Sequence, residues 1–306
     1  VKSSLVIGSR GSQLALVQSE GMAEALREAN PGLEVAIEII HTKGDKILDV
    51  PLAKIGGKGL FTKELEVALL DRRIDLAVHS LKDLPTEFPE GLMLAAVPAR
   101  EIPYDAFVCA KWDHLDDMPA GAKVGTSSLR RQAQVLVRRP DLRVVDLRGN
   151  VETRLRKVQE GVVDAAILAC AGLERLGLFE AVRAQLTEDV MISAPAQGAL
   201  GLEIRSADED TARILESVAD PVATVEVTTE RSCLAALEGG CQVPIGALAR
   251  LSGTKLRLVA CVCSLDGSTV LRTECEGHAS EAVDLGRLAA ERLLDQGASE
   301  LIAATR

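Results

Sequence analysis

The sequence predicts an α/β protein of two open-sheet lobes followed by a small α+β domain. Three observations predict it. Strand-like and helix-like segments alternate from the N-terminus to residue 80, the alternation restarts near residue 123, and after Pro221 the order changes to helix, strands, helix. The 306 residues are 47% hydrophobic, enough to bury the cores of two or three domains.

"LVIGSR" reads as a short strand entering a turn. "SQLALVQSEGMAEALRE" follows with apolar residues at helical spacing and Ser12 as its N-cap. "EVAIEII" (34–40) is a strand, "GLFTKELEVALLDRR" (59–73) a helix and "IDLAVHS" (74–80) a buried strand. In the second half "AKVG" is a strand followed by a helix that ends before Pro140. "LRVVDL" (142–147), "VETRLRKVQEG" and "DAAILA" (164–169) then read strand, helix, strand. "GALGLEIR" (198–205) is a strand placed to return to the first sheet. "EIPYD" (101–105) and "ISAPAQG" (192–198) become the two crossings between lobes. The expected domains are 1–99 plus 199–217, 104–194, and 221–306. The last begins with the helix "ATVEVTTERSCLAAL", continues with "IGALARL", "KLRLVACVCSL" and "TVLRTECEG", and ends in a helix over about 280–296.

The formal net charge is −10, so the chain as a whole repels polyanions. Its few aromatic residues (Phe61, Phe88, Tyr104, Phe107, Trp112, Phe179) give little on which to stack bases. Nucleic acid is excluded on both grounds. Seven cysteines, an odd number without a C-x-x-C pair, argue against a disulfide framework and a structural zinc site. His41, His79, His114 and His278 lack metal-ligand spacing. No leader pattern and no apolar run of membrane length is present. The expectation is a reduced, cytoplasmic, soluble protein without a membrane or a metal.

Against that acidity the arginines stand out. In open α/β sheets ligands gather at the carboxyl ends of strands, where helix N-termini point. Arg10 follows the first strand. "GTSSLRRQ" places Thr126, Ser127 and Ser128 after another, with Arg130 and Arg131 in the next helical turn. Arg148, Gly149 and Asn150 follow a third. Hydroxyls, backbone N–H groups and guanidinium forks at such junctions suit a carboxylate or phosphate ligand. A solvated arginine face is the alternative for any one of them, but cations at helix starts run against the dipole unless an anion is there.

Three further segments carry chemistry. In "AVHSLKDLPT" Lys82 and Asp83 lie just past a buried strand, where a carboxylate can orient an N–H donor or stabilise a cation; a solvated pair in a turn is the alternative. "EGGCQVPIG" isolates Cys241 on a glycine-flanked loop, a place for a nucleophile or a covalent anchor, or for an inert buried thiol. "HTKGDKILDVPLAKIGGKG" (41–59) is long and charged, and Lys54 and Lys58 on it can close over an anion if it is a lid rather than a plain surface loop.

Together "SRGSQLAL", "HTKGDKILDVPLAKIGGKGLFTKELE", "DLAVHSLKDLPT", "GTSSLRRQAQ", "LRGNVETRL", "LACAGLERL", "APAQGALGLE" and "EGGCQVPIGALA" resemble the porphobilinogen deaminase (hydroxymethylbilane synthase) family, in order from residue 9 to 249. The resemblance implies two lobes similar to periplasmic binding proteins and a third domain whose cysteine, here Cys241, carries a dipyrromethane through a thioether. It implies a transferase of tetrapyrrole (haem) biosynthesis. Four porphobilinogen molecules are deaminated and joined head to tail onto that primer, and water releases hydroxymethylbilane. Asp83 matches the carboxylate that orients pyrrole N–H groups and stabilises the azafulvenium cation left when ammonia departs; Lys82 stands beside it. The implied primer contacts are Ser80, Lys82, Asp83, Thr126, Ser128, Arg130, Arg131 and Gln197. The implied substrate contacts are Arg10, Ser12, Gln18, Lys54, Lys58, Arg148, Arg154 and Arg175. A monomer is implied as well.

The resemblance gives the arginines a purpose. Six rings bearing an acetate and a propionate each bring roughly a dozen carboxylates together, and two of these about 4 Å apart repel by about 4 kcal/mol at an effective dielectric of about 20. Two other readings of the residues stay open at this point: a two-lobed anion-binding protein without chemistry, and a cysteine-nucleophile transferase.

Overall fold

A computed structural model of the chain describes residues 2–42, 62–237 and 243–305. Cys241, Lys54, Lys58 and the segment expected to be a lid, from residue 43 on, lie outside the described residues. The chain forms two compact units. The first holds the described residues up to 101 together with 199–224, and the second holds 102–198 and those from 225 onward.

The first unit begins with β1 (Ser4–Ser9), α1 (Gln13–Ala29), β2 (Glu34–Ile39), α2 (Lys63–Leu70), β3 (Leu76–Ser80) and β4 (Leu92–Ala96). β1 pairs in parallel with β2 and β3. α1 starts where Ser12 accepts the N–H of Ala15 at 3.4 Å, and lays Met22, Ala23 and Leu26 over Leu5, Ile7 and Leu76. α2 covers the opposite face with Leu65, Ala68 and Leu69 against Ile74 and Ala77. β3 is thus buried from both sides, as its apolar stretch Leu76–Val78 requires. α2 ends at Leu70, short of the expected Arg73, because Arg72 adopts a left-handed φ of 59° that turns the chain back toward β3.

In the second unit follow β5 (Asp105–Cys109), β6 (Lys123–Gly125), α3 (Leu129–Arg138), β7 (Arg143–Val145), α4 (Val151–Gln159), β8 (Ala165–Ala169), α5 (Cys170–Arg175) and β9 (Ala184–Leu186). The strand order is β7-β6-β8-β5-β9, with β6, β7 and β8 parallel and β5 antiparallel to its neighbours. β10 (Leu200–Arg205) returns to the first sheet and lies antiparallel between β3 and β4. Sequence reading found β10 but missed β4, β5 and β9.

After α6 (Glu209–Leu215) and α7 (Pro221–Ala236) come β11 (Ile245–Ser252), β12 (Lys255–Cys263), β13 (Val270–His278), α8 (Ala282–Asp295) and α9 (Ala298–Ala303). The three strands form an antiparallel meander. One face packs Leu258, Ala260 and Val262 on Cys233, Leu285 and Leu293. The other packs Leu248, Val259, Cys261 and Cys263 on Ala133 and Ile192 of the preceding lobe. Gly267 (φ 72°) turns the hairpin tip there, and a Cβ on it would stand 2.5 Å from the Leu136 backbone, so no larger residue fits. Buried Glu230 of α7 ties the two parts, accepting the N–H of Ala196 at 2.6 Å and of Ala249 at 2.8 Å. Among the described residues no helix is long and apolar enough to cross a membrane.

Candidate active site

In the first unit the carboxyl ends of β1 and β3 lie at one edge of the sheet, because the strands are parallel neighbours. Arg10 follows β1, and Ser12 caps α1. Ser80 ends β3 and leads into a 3-10 turn, Leu81–Asp83. That turn is pinned by fully buried Leu81 and Leu84 and by the Leu81 N–H donating to Ala199 O at 3.0 Å. Between the two leucines Lys82 and Asp83 are turned outward, Asp83 being exposed. Buried Gln18 reaches from α1 and donates to Ser80 Oγ at 3.1 Å, joining the two strand ends. The result is a cavity of about 90 Å³ lined by Arg10, Ser12, Gln18, Thr62, His79, Ser80 and Asp83, with Leu14, Ala15 and Val78 as its apolar wall. One guanidinium, one carboxylate and several neutral hydrogen-bonding groups in so small a space can hold a ligand that is anionic at one end and carries N–H donors.

Beneath that cavity His79 Nε2 lies 2.9 Å from Oε2 of fully buried Glu203. Glu66 of α2 is part of the same cluster and accepts from Thr62 Oγ1 at 2.6 Å. Burial pushes the Glu66 carboxyl up, the Thr62 bond pulls it partly back, and the Glu203 charge adds to the rise.

In the second unit the parallel strands β6, β7 and β8 likewise carry their loops at one edge. Ser128 caps α3, accepting the Arg131 N–H at 3.4 Å, and buried Thr126 accepts the Ser128 N–H at 3.1 Å. The pair Arg130 and Arg131 has its anion inside the protein. Arg130 Nη1 and Nη2 donate to Asp105 Oδ2 and Oδ1 at 2.7 and 3.1 Å, and Arg131 Nε donates to Oδ1 at 2.8 Å. Gln197 Nε2 adds a bond to Oδ1 at 3.1 Å and one to Pro103 O at 2.7 Å. Carbonyls of Ile192 and Ile167 take a further N–H from Arg130 and Arg131. Burial alone would raise the Asp105 carboxyl; two guanidinium charges and the bonds from Arg130 and Gln197 outweigh it and hold the group well below the usual carboxylate range. Two guanidinium groups against one carboxylate leave an excess positive charge.

At the next junction Asn150 caps α4 by accepting the Thr153 N–H at 2.9 Å. Gly149 (φ 116°) makes the turn; a Cβ there would meet Thr153 at 2.7 Å. The turn directs backbone carbonyls inward, where Gly149 O accepts from Arg154 Nε at 2.8 Å and Arg148 O from Lys157 Nζ at 3.0 Å. Nη1 of Arg148 is buried with no hydrogen-bond partner among the described residues. Arg175 at the end of α5 donates to Gly198 O at 2.7 Å.

Thus Arg10, Ser12, Gln18, Ser80 and Asp83 share one cavity, with Lys82 on the same turn. Thr126, Ser128, Arg130, Arg131 and Gln197 surround the first helix start of the second unit, and Arg148 and Arg154 the second. Sequence reading missed Asp105, Glu203, His79 and Gln134, whose amide brackets the Ile192 backbone at 2.7 and 2.9 Å. For Asp105 and Glu203 a signal existed: each is an acidic residue in an otherwise apolar strand, "DAFVC" and "LGLEIR".

Residues 5–213 match the family model described as porphobilinogen deaminase, dipyromethane cofactor binding domain, and residues 224–295 match its C-terminal domain. The chain is 51% identical over 302 residues to the porphobilinogen deaminase of Desulforudis audaxviator, covering 99% of this chain and 98% of that protein. It is 50% identical over 298 residues to that of Maridesulfovibrio salexigens, covering 97% of each. Among solved structures it is similar to a methionine binding protein (TM-score 0.45, 14% identity, 71% of this chain and 88% of that one). It is also similar to the periplasmic aliphatic sulphonate binding protein of Escherichia coli (TM-score 0.41, 12% identity, 78% and 71%). With both family models matched along most of its length and half its residues shared with full-length relatives, the chain belongs to the porphobilinogen deaminase family.

Proposed function

We propose that the chain is a hydroxymethylbilane synthase. It deaminates porphobilinogen and condenses four molecules head to tail onto a dipyrromethane held by Cys241, and water releases the product. The observation that carries this reading is the cavity in which Asp83 stands with Arg10, Ser12, Gln18 and Ser80. Asp83 hydrogen-bonds pyrrole N–H groups and offsets the positive charge that develops as the carbon–nitrogen bond breaks. Arg10 takes a ring carboxylate, and Lys82 acts from the same turn.

The residues present fit the primer. Its four carboxylates need cations; Arg148 offers a buried Nη1 without a partner among the described residues, and Arg130 and Arg131 outnumber the carboxylate they share. Ser80, Thr126, Ser128 and Gln197 complete its contacts, and Arg154, Arg175, Lys54 and Lys58 serve incoming substrate. When bound, the primer supplies the free α-carbon to which the first substrate is joined. Six described cysteines are free and buried, which suits a reducing, cytoplasmic setting, and we place the enzyme there as a monomer.

An intact-mass measurement tests the reading. Protein from cells that make porphobilinogen should exceed its sequence mass by two pyrrole units and the link, and Cys241→Ser should lose both adduct and activity. An unmodified mass in an active preparation overturns it.

A further inference from the structure

We propose that His79, held by Glu203, takes up the proton released as each carbon–carbon bond forms; this rests on the deaminase reading. β10 runs antiparallel to β3 with Gly201 opposite His79 and Glu203 opposite Ala77, so the two side chains are diagonal neighbours on one sheet face. Gly201 has no side chain to intrude, and a Cβ there would lie 2.8 Å from Cδ1 of Leu81, the residue that anchors the Lys82–Asp83 turn. The pair is therefore built into the base of that turn. Glu203 is fully buried, with Oε2 on the imidazole and Oε1 without a partner among the described residues. The hydrogen bond to Nε2 is thus the one side-chain contact of that carboxylate among the described residues, and it fixes the plane of the imidazole. The other ring nitrogen, Nδ1, makes no hydrogen bond among the described residues, and His79 lines the same cavity as Asp83, Ser80 and Arg10. An imidazole fixed through one nitrogen on a buried carboxylate, with the other uncommitted, is a general base oriented by its partner.

The reaction needs such a group. The carbon–nitrogen bond of the aminomethyl substituent breaks with its electron pair going to nitrogen, and ammonia leaves. The free α-carbon of the preceding ring gives a pair to the methylene carbon. The α-carbon–hydrogen bond then breaks, its pair restores the aromatic ring, and its proton passes to Nδ1 of His79 and on to solvent before the next addition. From the ammonium form of the substrate, ammonia and one proton are lost and no oxidant or reductant enters. Asp83 is left to its role of offsetting the cation.

Porphobilinogen deuterated at its free α-carbon tests this. The label reaches the breaking bond from the second addition onward, because the first addition breaks a bond on the unlabelled primer. In wild type both isotopic forms should add at similar rates. His79→Gln should slow every addition by about a hundredfold or more, with a deuterium isotope effect on the second and later additions and none on the first, read by mass spectrometry of the enzyme-bound chains. Glu203→Gln should show the same pattern more weakly. Should His79→Gln unfold, the double change His79→Gln/Glu203→Gln removes the stranded charge and should give that pattern too. In primer-free Cys241→Ser protein, nitrogen NMR of the imidazole should find Nε2 protonated toward Glu203 and Nδ1 bare. Additions within about threefold of wild type, slowing without an isotope effect, or the reverse tautomer each overturn the proposal. Wild type that adds no pyrrole at all sinks the deaminase reading itself.

Discussion

Asp105 Oδ2 lies 2.7 Å from Nη1 of Arg130, and both side chains are almost wholly out of water. The contact fixes the start of α3, and it makes a prediction about stability. Asp105→Asn keeps the shape but leaves two buried guanidinium groups facing a neutral amide. Breaking a buried pair in this way costs about 3–5 kcal/mol. The pH dependence follows from the depressed carboxyl. Its folded value lies below the unfolded value of about 3.9, so its stabilisation is complete above roughly pH 5 and is lost as pH falls through 4 toward the folded value. Denaturant unfolding at pH 7 and pH 3 should show the gap between wild type and Asp105→Asn narrowing in acid.

That pair also marks what the sequence discloses. The alternation of "LVIGSR", "EVAIEII" and "IDLAVHS" with helical periods made the parallel strands legible, and Ser12 was readable as a cap because the apolar spacing of its helix starts directly after it. β5 was not read at all: the crossing "EIPYD" (101–105) ends on Asp105, the residue that opens the strand. A helix-start arginine announces that an anion is near but not whose it is; Asp105 is more than twenty residues away in the chain and reaches Arg130 only through the β5–β8 pairing. The cavity residues around Asp83 were legible as segments. The buried cluster behind them was not, since Glu66, His79 and Glu203 come from three elements with no spacing in common.

The arginines should divide into two kinds. Arg130→Leu or Arg131→Leu takes one of two guanidinium groups from the buried Asp105 carboxylate and should destabilise the protein by about 1.5–3 kcal/mol as well as impairing primer loading. Arg148→Leu removes a buried donor that has no partner among the described residues, so its unfolding midpoint should stay near that of wild type. Its loss should fall on the ligand, about 1.5–3 kcal/mol for a charge-assisted contact, or roughly ten- to a hundredfold in an equilibrium. Mass spectrometry with limited porphobilinogen should find early additions in Arg148→Leu proceeding more readily than late ones. Equal loss of stability in all three variants counts against the division.

Glu66 faces Glu203 and its carboxyl is pushed up by burial. A raised folded value in an acid means that protonation favours the folded state, so this group's contribution improves as pH falls through the folded value toward the unfolded one. Glu66→Gln, which keeps the bond to Thr62, should therefore raise the melting temperature at pH 8, and the gain should vanish near pH 4. A gain that is the same at both pH values removes the charge of Glu66 as its cause.

The rate contribution of Asp83 should come chiefly from its charge. It is exposed at the end of a turn held by Leu81 and Leu84, so the fold does not depend on its ionisation and Asp83→Asn should melt close to wild type. Asparagine keeps the size and can still accept a pyrrole N–H, but it cannot offset a developing cation. Loss of such stabilisation is typically worth roughly 3 kcal/mol, on the order of a hundredfold in rate. The loss should appear in kcat more than in KM, because the cation exists only after carbon–nitrogen cleavage begins. The conservative change Asp83→Glu retains the charge at a shifted position and should recover part of the rate, which a purely steric role for Asp83 does not allow. Single-turnover addition of porphobilinogen to loaded enzyme reads all of these, and an Asp83→Asn enzyme within about threefold of wild type refutes the assignment.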